Sequence, residues 1–306
     1  MGTGNVTDSG KLAPPASIAF IGLGNMGRPM GACLLRAGYR VTGFDLSPQA
    51  RDAFSTEAGA AVAPTAAEAV ANADVVITMV PTGKIVRDLL TSVQNQMKPG
   101  ALVIDMSSSE PMGTREIGET MRAAGHGFID APVSGGVRRA IDGSLSIMAG
   151  GDAATIDRAE PVLQAMGRTI FRTGPLGSGH AMKALNNYVS GAGLIAACEA
   201  VNVGKAFGLD PALMVDVLNA STGRNNSTEV KLKQFILSQS WGSGFSVGLM
   251  AKDIRSADDL AHILGIATPL ADHCANLWDD AAKTIGAAAD HTEIQRYLEA
   301  PTGTGA

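Results

Sequence analysis

From residue 17 to residue 174 short apolar runs alternate with amphipathic stretches. The runs lie at 18–22, 40–44, 74–80, 101–105, 127–131 and 145–149, and helical periodicity fills most of the gaps, as at 25–37 and 110–124. This alternation predicts βαβ units around a largely parallel sheet. Such sheets carry helices on both faces, so their strands read as nearly continuous apolar runs.

Beyond Gly179 the strand pattern stops. Residues 180–207 hold no proline and read as one helix of about 40 Å at about 1.5 Å per residue. Gly208 ends it, and Asp210-Pro211 opens the next helix as N-cap and first-turn proline. Further helical stretches are expected at 211–219, 228–237, 248–264 and from 269 onward. The expected layout is an unstructured tail at 1–16, a doubly wound α/β domain at 17–176, an all-helical domain at 177–299 entered through the long helix, and a second tail at 300–306.

Composition narrows the partners. A net charge of -5 argues against nucleic acid, which demands a basic face. The three cysteines (Cys33, Cys198 and Cys274) lie far apart in apolar stretches, so buried thiols in a reducing cytoplasm are expected. The first sixteen residues lack the basic start and apolar centre of a secretory signal, and no apolar stretch reaches the length of a membrane span.

Gly22-Leu23-Gly24-Asn25-Met26-Gly27 has the spacing of a dinucleotide-binding turn, and it follows a strand and opens a helix as that chemistry requires. Gly22 permits the turn, Gly24 lets backbone approach a pyrophosphate, and Gly27 allows close helix–strand packing. Asp45, 23 positions after Gly22, ends the second strand where a carboxylate meets ribose hydroxyls and repels a 2′-phosphate. NAD is therefore expected in preference to NADP. Val80-Pro81 and Ser107 end later strands and are expected to border the nicotinamide, although for each of serines 107–109 taken alone, before Glu110-Pro111, helix capping is the favoured reading.

Ser134-Gly135-Gly136 follows a further strand as a concave turn of backbone N–H groups suited to a carboxylate. Lys183 and Asn187 are four apart and share a face of the long helix. That lysine suits proton exchange with a hydroxyl oxygen, with Asn187 fixing the angle; helix periodicity alone leaves a solvated surface lysine open. Neither metal-ligand spacing nor a Ser–His–Asp arrangement is evident, so no metal is expected.

GLGNMGRPM at 22–30, DAPVSGG at 130–136, GSLSIMAGG at 143–151, GSGHAMKALNN at 177–187 and AKD at 251–253 occur in this order. Together they resemble the β-hydroxyacid dehydrogenase family, which includes 3-hydroxyisobutyrate dehydrogenase and tartronate semialdehyde reductase. The resemblance covers 17 to about 298. It implies a Rossmann-type domain, an all-helical domain, and an active site in the cleft between them. It places the catalytic lysine at Lys183, its asparagine at Asn187 beside Asn186, and the substrate-carboxylate turn at Ser134, Gly135 and Gly136. Lys252 and Phe245 fall near the nicotinamide, and a homodimer or homotetramer through the helical domain is implied.

The expected reaction is oxidation of a small 3-hydroxy acid to its semialdehyde, or the reverse. Lys183 takes or returns the hydroxyl proton while hydride passes to or from nicotinamide C4. Because Lys252 and a cationic nicotinamide disfavour a further charge, oxidation should quicken at alkaline pH. Asn225, Asn226 and Ser227 suggest a polar substrate, hydroxylated or amino-bearing, and Arg138, Arg139 and Arg224 are left without a role. An NADP-linked semialdehyde or imine reductase and a non-catalytic dinucleotide-binding module are the alternatives; Lys183 argues against the imine reductase and the module.

Overall fold

The computed structural model describes residues 10–299. Those residues fall into two compact units, Met1–Lys183 and Ala184–Ala306. The expected tails at 1–9 and 300–306 lie outside the described residues. The rest of the first tail is tied down: Leu12 N donates to Arg158 O and Arg40 N donates to Ala16 O.

The first unit is built on strands β1 (Ser17–Ile21), β2 (Arg40–Phe44), β3 (Ala61–Val62), β4 (Val75–Thr78), β5 (Leu102–Asp105), β6 (Gly127–Asp130), β7 (Val133–Ser134), β8 (Leu145–Gly150) and β9 (Gly167–Gly174). Seven helices connect them: α1 (Gly27–Arg36), α2 (Pro48–Ser55), α3 (Ala66–Val70), α4 (Gly83–Val93), α5 (Pro111–Ala123), α6 (Gly136–Asp142) and α7 (Ala153–Gln164). The sheet runs β3-β2-β1-β4-β5-β6-β8-β7, with β9 also paired to β8. Strands β1 to β6 are parallel, whereas β8 is antiparallel to β6 and β7.

Alternation along β1 shows why this sheet needs two helical layers. Ile18 and Phe20 pack into one apolar cluster with Met30 and Leu34. Ala19 and Ile21 pack into the opposite one with Val86 and Leu90. Every strand from β1 to β5 that reaches this centre is thus buried on both faces, as the unbroken apolar runs predict. The order 3-2-1-4-5-6 gathers the carboxyl ends of β1, β4, β5 and β6 along one edge, where ligands of doubly wound sheets bind.

The second unit is helical. α8 (Ser178–Phe207) runs 30 residues across the boundary, followed by α9 (Pro211–Ala220), α10 (Val247–Ile263), α11 (Pro269–Ile285) and α12 (Ile294–Glu299). Asp210 caps α9 through its side chain, with Pro211 in the first turn, as the sequence predicts. Trp278 is fully buried at the centre of this core. Residues Ser227–Leu237 wind as a π-helix instead of the expected α-helix. Their buried positions, Ser227, Thr228, Lys231, Leu232 and Ile236, recur every four to five residues, which suits the wider turn.

Candidate active site

The glycine turn links β1 to α1. Gly22 has φ +98°, and a Cβ there would lie 2.2 Å from Met79 O. A Cβ on Gly27 would lie 1.8 Å from Gly22 O, so α1 begins against the turn itself. An added Cβ on Gly24 meets nothing within 4 Å, which leaves that backbone open to an approaching group. The N-cap residue Met26 makes no side-chain cap, and Asn25 precedes it in the same turn. Open backbone ahead of a helix N-terminus with no side-chain cap is the donor arrangement a pyrophosphate needs, so these residues fit a dinucleotide.

Asp45 follows β2 and faces the same turn. Its Oδ2 accepts from Leu23 N at 2.7 Å and its Oδ1 from Ser47 N at 2.8 Å. Each carboxylate oxygen keeps a free lone pair for a ribose hydroxyl. Ser47, not Asp45, caps α2.

Further along the edge, Val80 N donates to Ser107 Oγ at 3.0 Å, tying the ends of β4 and β5 together; Pro81 beside it is exposed. Ser109 Oγ donates to Asp105 Oδ2 at 2.7 Å. The capping expectation for Ser107 and Ser109 is therefore corrected: the N-cap of α5 is Glu110, without a side-chain bond. The serines satisfy the buried strand ends instead.

Ser134 is half-buried at the end of β7, and the turn continues through Gly135 (φ +131°) and Gly136 (φ +65°), both exposed. Only glycine takes these angles without strain. Arg138 and Arg139 are exposed on α6.

The start of α8 is held by a buried polar cluster that the sequence motifs did not reveal. Asp130, at the end of β6 and fully buried, accepts from Gly177 N through Oδ1 and from His180 N through Oδ2, both at 2.8 Å. His180 Nε2 donates to Ser107 O at 3.0 Å, since a carbonyl can only accept, and Nδ1 lies 2.8 Å from Thr114 Oγ1. The imidazole lies 3.8 Å from Asp105 and 3.7 Å from Asp130. Burial pushes the Asp130 carboxyl above the usual carboxylate range, opposed by His180 and by the two backbone N–H groups. One helical turn after His180 comes Lys183, half-buried. The first turn of the lysine's helix is thus held to the carboxyl edge that also bears the glycine turn.

In the second unit Asn187, one turn beyond Lys183 on the same helix, is buried. Its Nδ2 donates to Asp253 Oδ2 at 2.6 Å, and its Oδ1 accepts from Asn186 Nδ2 at 3.2 Å. Lys252 pairs with the other oxygen of Asp253 at 3.0 Å. Asp253 therefore joins Asn186 and Asn187 to Lys252 in one chain, a role its place in the AKD triplet did not disclose. Phe245 packs edge-on against His291, with centroids 5.6 Å apart.

The expected polar loop at 221–227 is partly structural. Asn225 Oδ1 accepts from Ser227 N at 2.8 Å and from Thr228 N at 3.1 Å, capping the π-helix. Asn186, Val189, Ser190, Gly193 and Asn225 to Ser227 line a small cavity of about 150 Å³. A larger one of about 510 Å³ borders Ser17, Arg40 and Gly59 at the amino ends of β1 and β2, the wrong edge for a ligand of this sheet. Among the described residues Asp258, Asp259 and His262 bring ligand atoms within 4.8 Å of one another. Asp258 is already paired with Arg255 at 3.0 Å, and the group carries no assignment. All three cysteines are buried free thiols.

Comparison with known proteins defines the class. Residues 17–174 match the family model described as the NAD binding domain of 6-phosphogluconate dehydrogenase. Residues 177–298 match the one described as NAD-binding of NADP-dependent 3-hydroxyisobutyrate dehydrogenase. The chain belongs to the β-hydroxyacid dehydrogenase family. It is 36% identical to the NAD-dependent L-serine dehydrogenase of Pseudomonas aeruginosa, over 94% of this chain and 99% of that one. It is 40% identical to the 3-hydroxyisobutyrate dehydrogenase of the same organism, over 85% and 90%. The solved structure of Mycobacterium tuberculosis 3-hydroxyisobutyrate dehydrogenase with L-serine is similar at TM-score 0.87 and 38% identity, covering 93% of this chain and 99% of that one.

Proposed function

We infer that the chain is an NAD-dependent dehydrogenase that oxidises the alcohol of a small 3-hydroxy acid to the semialdehyde, or runs the reverse reduction. The observation that carries the reading is the placement of Lys183 one turn into a helix whose start is clamped to the carboxyl edge of the sheet, with Asn187 one turn further on. Serine and 3-hydroxyisobutyrate, named for relatives at 36–40% identity, are both 3-hydroxy acids and support the substrate class.

Gly22, Gly24, Asn25, Met26 and Gly27 take the pyrophosphate, Asp45 the ribose, and Val80, Pro81, Ser107, Phe245 and Lys252 border the nicotinamide. Ser134, Gly135 and Gly136 hold the substrate carboxylate through backbone N–H groups and a hydroxyl, and Asn186 and Lys252 add polar contacts. Bound NAD supplies the hydride acceptor for oxidation and, when reduced, the donor for reduction. In oxidation the neutral amine of Lys183 takes the proton from the substrate hydroxyl as the C–H bond gives up its hydride. In reduction the ammonium returns that proton to the forming alkoxide. Asn187, fixed by Asp253, orients the same oxygen without adding charge.

We assign a cofactor domain to 17–176 and a helical domain to 177–299; the family-model matches at 17–174 and 177–298 support this division, whereas the compact units divide after Lys183. Val203, Phe207, Leu213 and Val217 expose apolar side chains on α8 and α9, Phe207 to 83%, which supports a homodimer or homotetramer through the helical unit. Among the described residues no helix is long and apolar enough to cross a membrane; the cytoplasm is the proposed site of action.

The test is NADH formation with serine, glycerate, 3-hydroxyisobutyrate, 3-hydroxypropionate and threonate, repeated with NADP. Turnover of at least one with NAD favoured over NADP is expected. A flat panel with tight NAD binding would move the chain to the non-catalytic reading.

A further inference from the structure

A charged group that the reaction above does not use lies beside the small cavity of the helical unit. Lys231, on the π-helix, is only 9% exposed. Its ammonium donates to Ser190 Oγ at 3.2 Å, and among the described residues no carboxylate lies within ion-pair distance of it. Burying an unpaired ammonium is costly unless an anion or a set of acceptors meets it. One hydroxyl at 3.2 Å is a poor return for that cost.

The direction of the hydrogen bond shows what is wanted. An ammonium has no lone pair, so Lys231 donates and Ser190 Oγ accepts. The hydroxyl proton of Ser190 is left to donate elsewhere, and Ser190 lines the cavity with Asn186, Val189, Gly193, Asn225, Asn226 and Ser227. A positive charge behind the oxygen strengthens that donor. At Ser190 the cavity therefore offers a donor to an acceptor oxygen, with the Lys231 charge behind it disfavouring an ammonium at that point. Ser190 also continues the face of α8 that bears the reaction: it follows Asn186 by four residues and Lys183 by seven, about 10 Å along the axis at about 1.5 Å per residue. That spacing leaves room for an arm on the substrate. The segment carrying Lys231 is a π-helix, a winding rare in proteins and frequent at functional sites.

We propose that Ser190, backed by the Lys231 ammonium, is the donor end of a side-arm subsite, and that the preferred substrate is a 3-hydroxy acid whose C2 arm ends in a carboxylate or hydroxyl oxygen. The proposal rests on the dehydrogenase reading above and narrows its substrate class. Burial pulls the Lys231 ammonium down to about 8. Asp290 favours the charge, and the Cys198 thiol of α8 and His291 lie nearby, with Ser190 in direct contact. Burial pushes the Cys198 thiol up to about 12 and pulls His291 down to about 4, so neither titrates between neutrality and mild alkali. A change in arm preference across about 8 that is lost in Lys231→Met is thus assigned to Lys231.

The experiment is kcat/KM for NADH formation by the full chain with 2-(hydroxymethyl)glutarate (carboxylate arm), 3-hydroxyisobutyrate (methyl) and serine (ammonium). Wild type is compared with Ser190→Ala and Lys231→Met at about pH 7 and about pH 9, on either side of the lysine's titration. Wild type should favour the carboxylate arm over the methyl. The ratio between these two substrates should fall about tenfold or more in either variant, the scale of one charge-assisted hydrogen bond. In wild type the ratio should also fall from the lower to the higher pH, and in Lys231→Met it should not. Circular dichroism and NAD affinity establish that each variant is folded. A wild type that prefers the methyl or ammonium substrate, or ratios that neither variant moves, overturns the subsite and leaves the dehydrogenase standing. No turnover of any of the three, nor of the wider panel, overturns both.

Discussion

Replacing Asp130 by asparagine keeps the shape of a fully buried side chain and changes only what its two atoms can accept. The carboxylate takes Gly177 N on one oxygen and His180 N on the other, each at 2.8 Å. Asparagine offers one oxygen and one amide, so in either orientation the amide confronts a backbone N–H. One charge-assisted bond is lost, about 1.5–3 kcal/mol, and one buried donor is stranded, about 1–3 kcal/mol more. Against this, burial already pushes the Asp130 carboxyl up, so removing the charge recovers part of its desolvation cost. The net destabilisation expected is about 2–4 kcal/mol, a fall in Tm of roughly 5–15 °C. Urea and thermal unfolding measure it. The second readout is kinetic. The lost bonds hold the first turn of the helix that carries Lys183, and a misplacement near 1 Å costs up to about 100-fold in rate. Assayed well below its Tm, the variant should lose kcat by about tenfold or more while its KM for NAD stays near wild type. Stability within about 0.5 kcal/mol of wild type together with an unchanged kcat would refute the clamp.

Gly27→Ala places a methyl 1.8 Å from Gly22 O, so α1 must move off the turn; a loss of about 1–3 kcal/mol or more and of NAD binding is expected, read by unfolding and by fluorescence titration. Lys231→Met should stabilise the fold at neutral pH. The folded chain holds this amine at about 8 against an ordinary 10.5. Between those values the unfolded chain binds more protons, so wild-type stability rises with pH, and below about 8 a penalty of about 3 kcal/mol is fully present. The variant's advantage should therefore shrink as pH climbs through that window, and a difference flat with pH would contradict the assignment.

Much of the fold was legible because its strands are buried on both faces. β1, β2 and β5 read as apolar runs, and a turn of glycines between a strand and a helix has one physical use in a sheet of this kind. β9 was missed because it is mostly exposed: Arg168, Thr169 and Arg172 break any apolar run, and only pairing with β8 makes the segment a strand. The π-helix escaped because two turns of an apolar pattern barely separate its period from that of an α-helix. Lys183 and Asn187 share a short-range helical spacing that marks them only as candidates, and their roles came from the family resemblance. The role of Asp130 could not be read from spacing, since its partners lie 47 and 50 residues away and nothing local marks them. Ser107 misled for the same reason: a serine before Glu110-Pro111 looks like a cap until Val80, 27 residues away, claims its hydroxyl, whereas Ser109 turns back to Asp105 four residues before it.

The proposed reaction requires an amine that exchanges a proton with the substrate oxygen. The direct measurement is kcat for NADH formation by wild type and by Lys183→Ala at saturating NAD and hydroxy acid, with NAD affinity titrated alongside. The alanine variant should lose about 100- to 10,000-fold in kcat, the range of general acid–base catalysis, while binding NAD normally. Turnover within about tenfold of wild type would contradict the central claim.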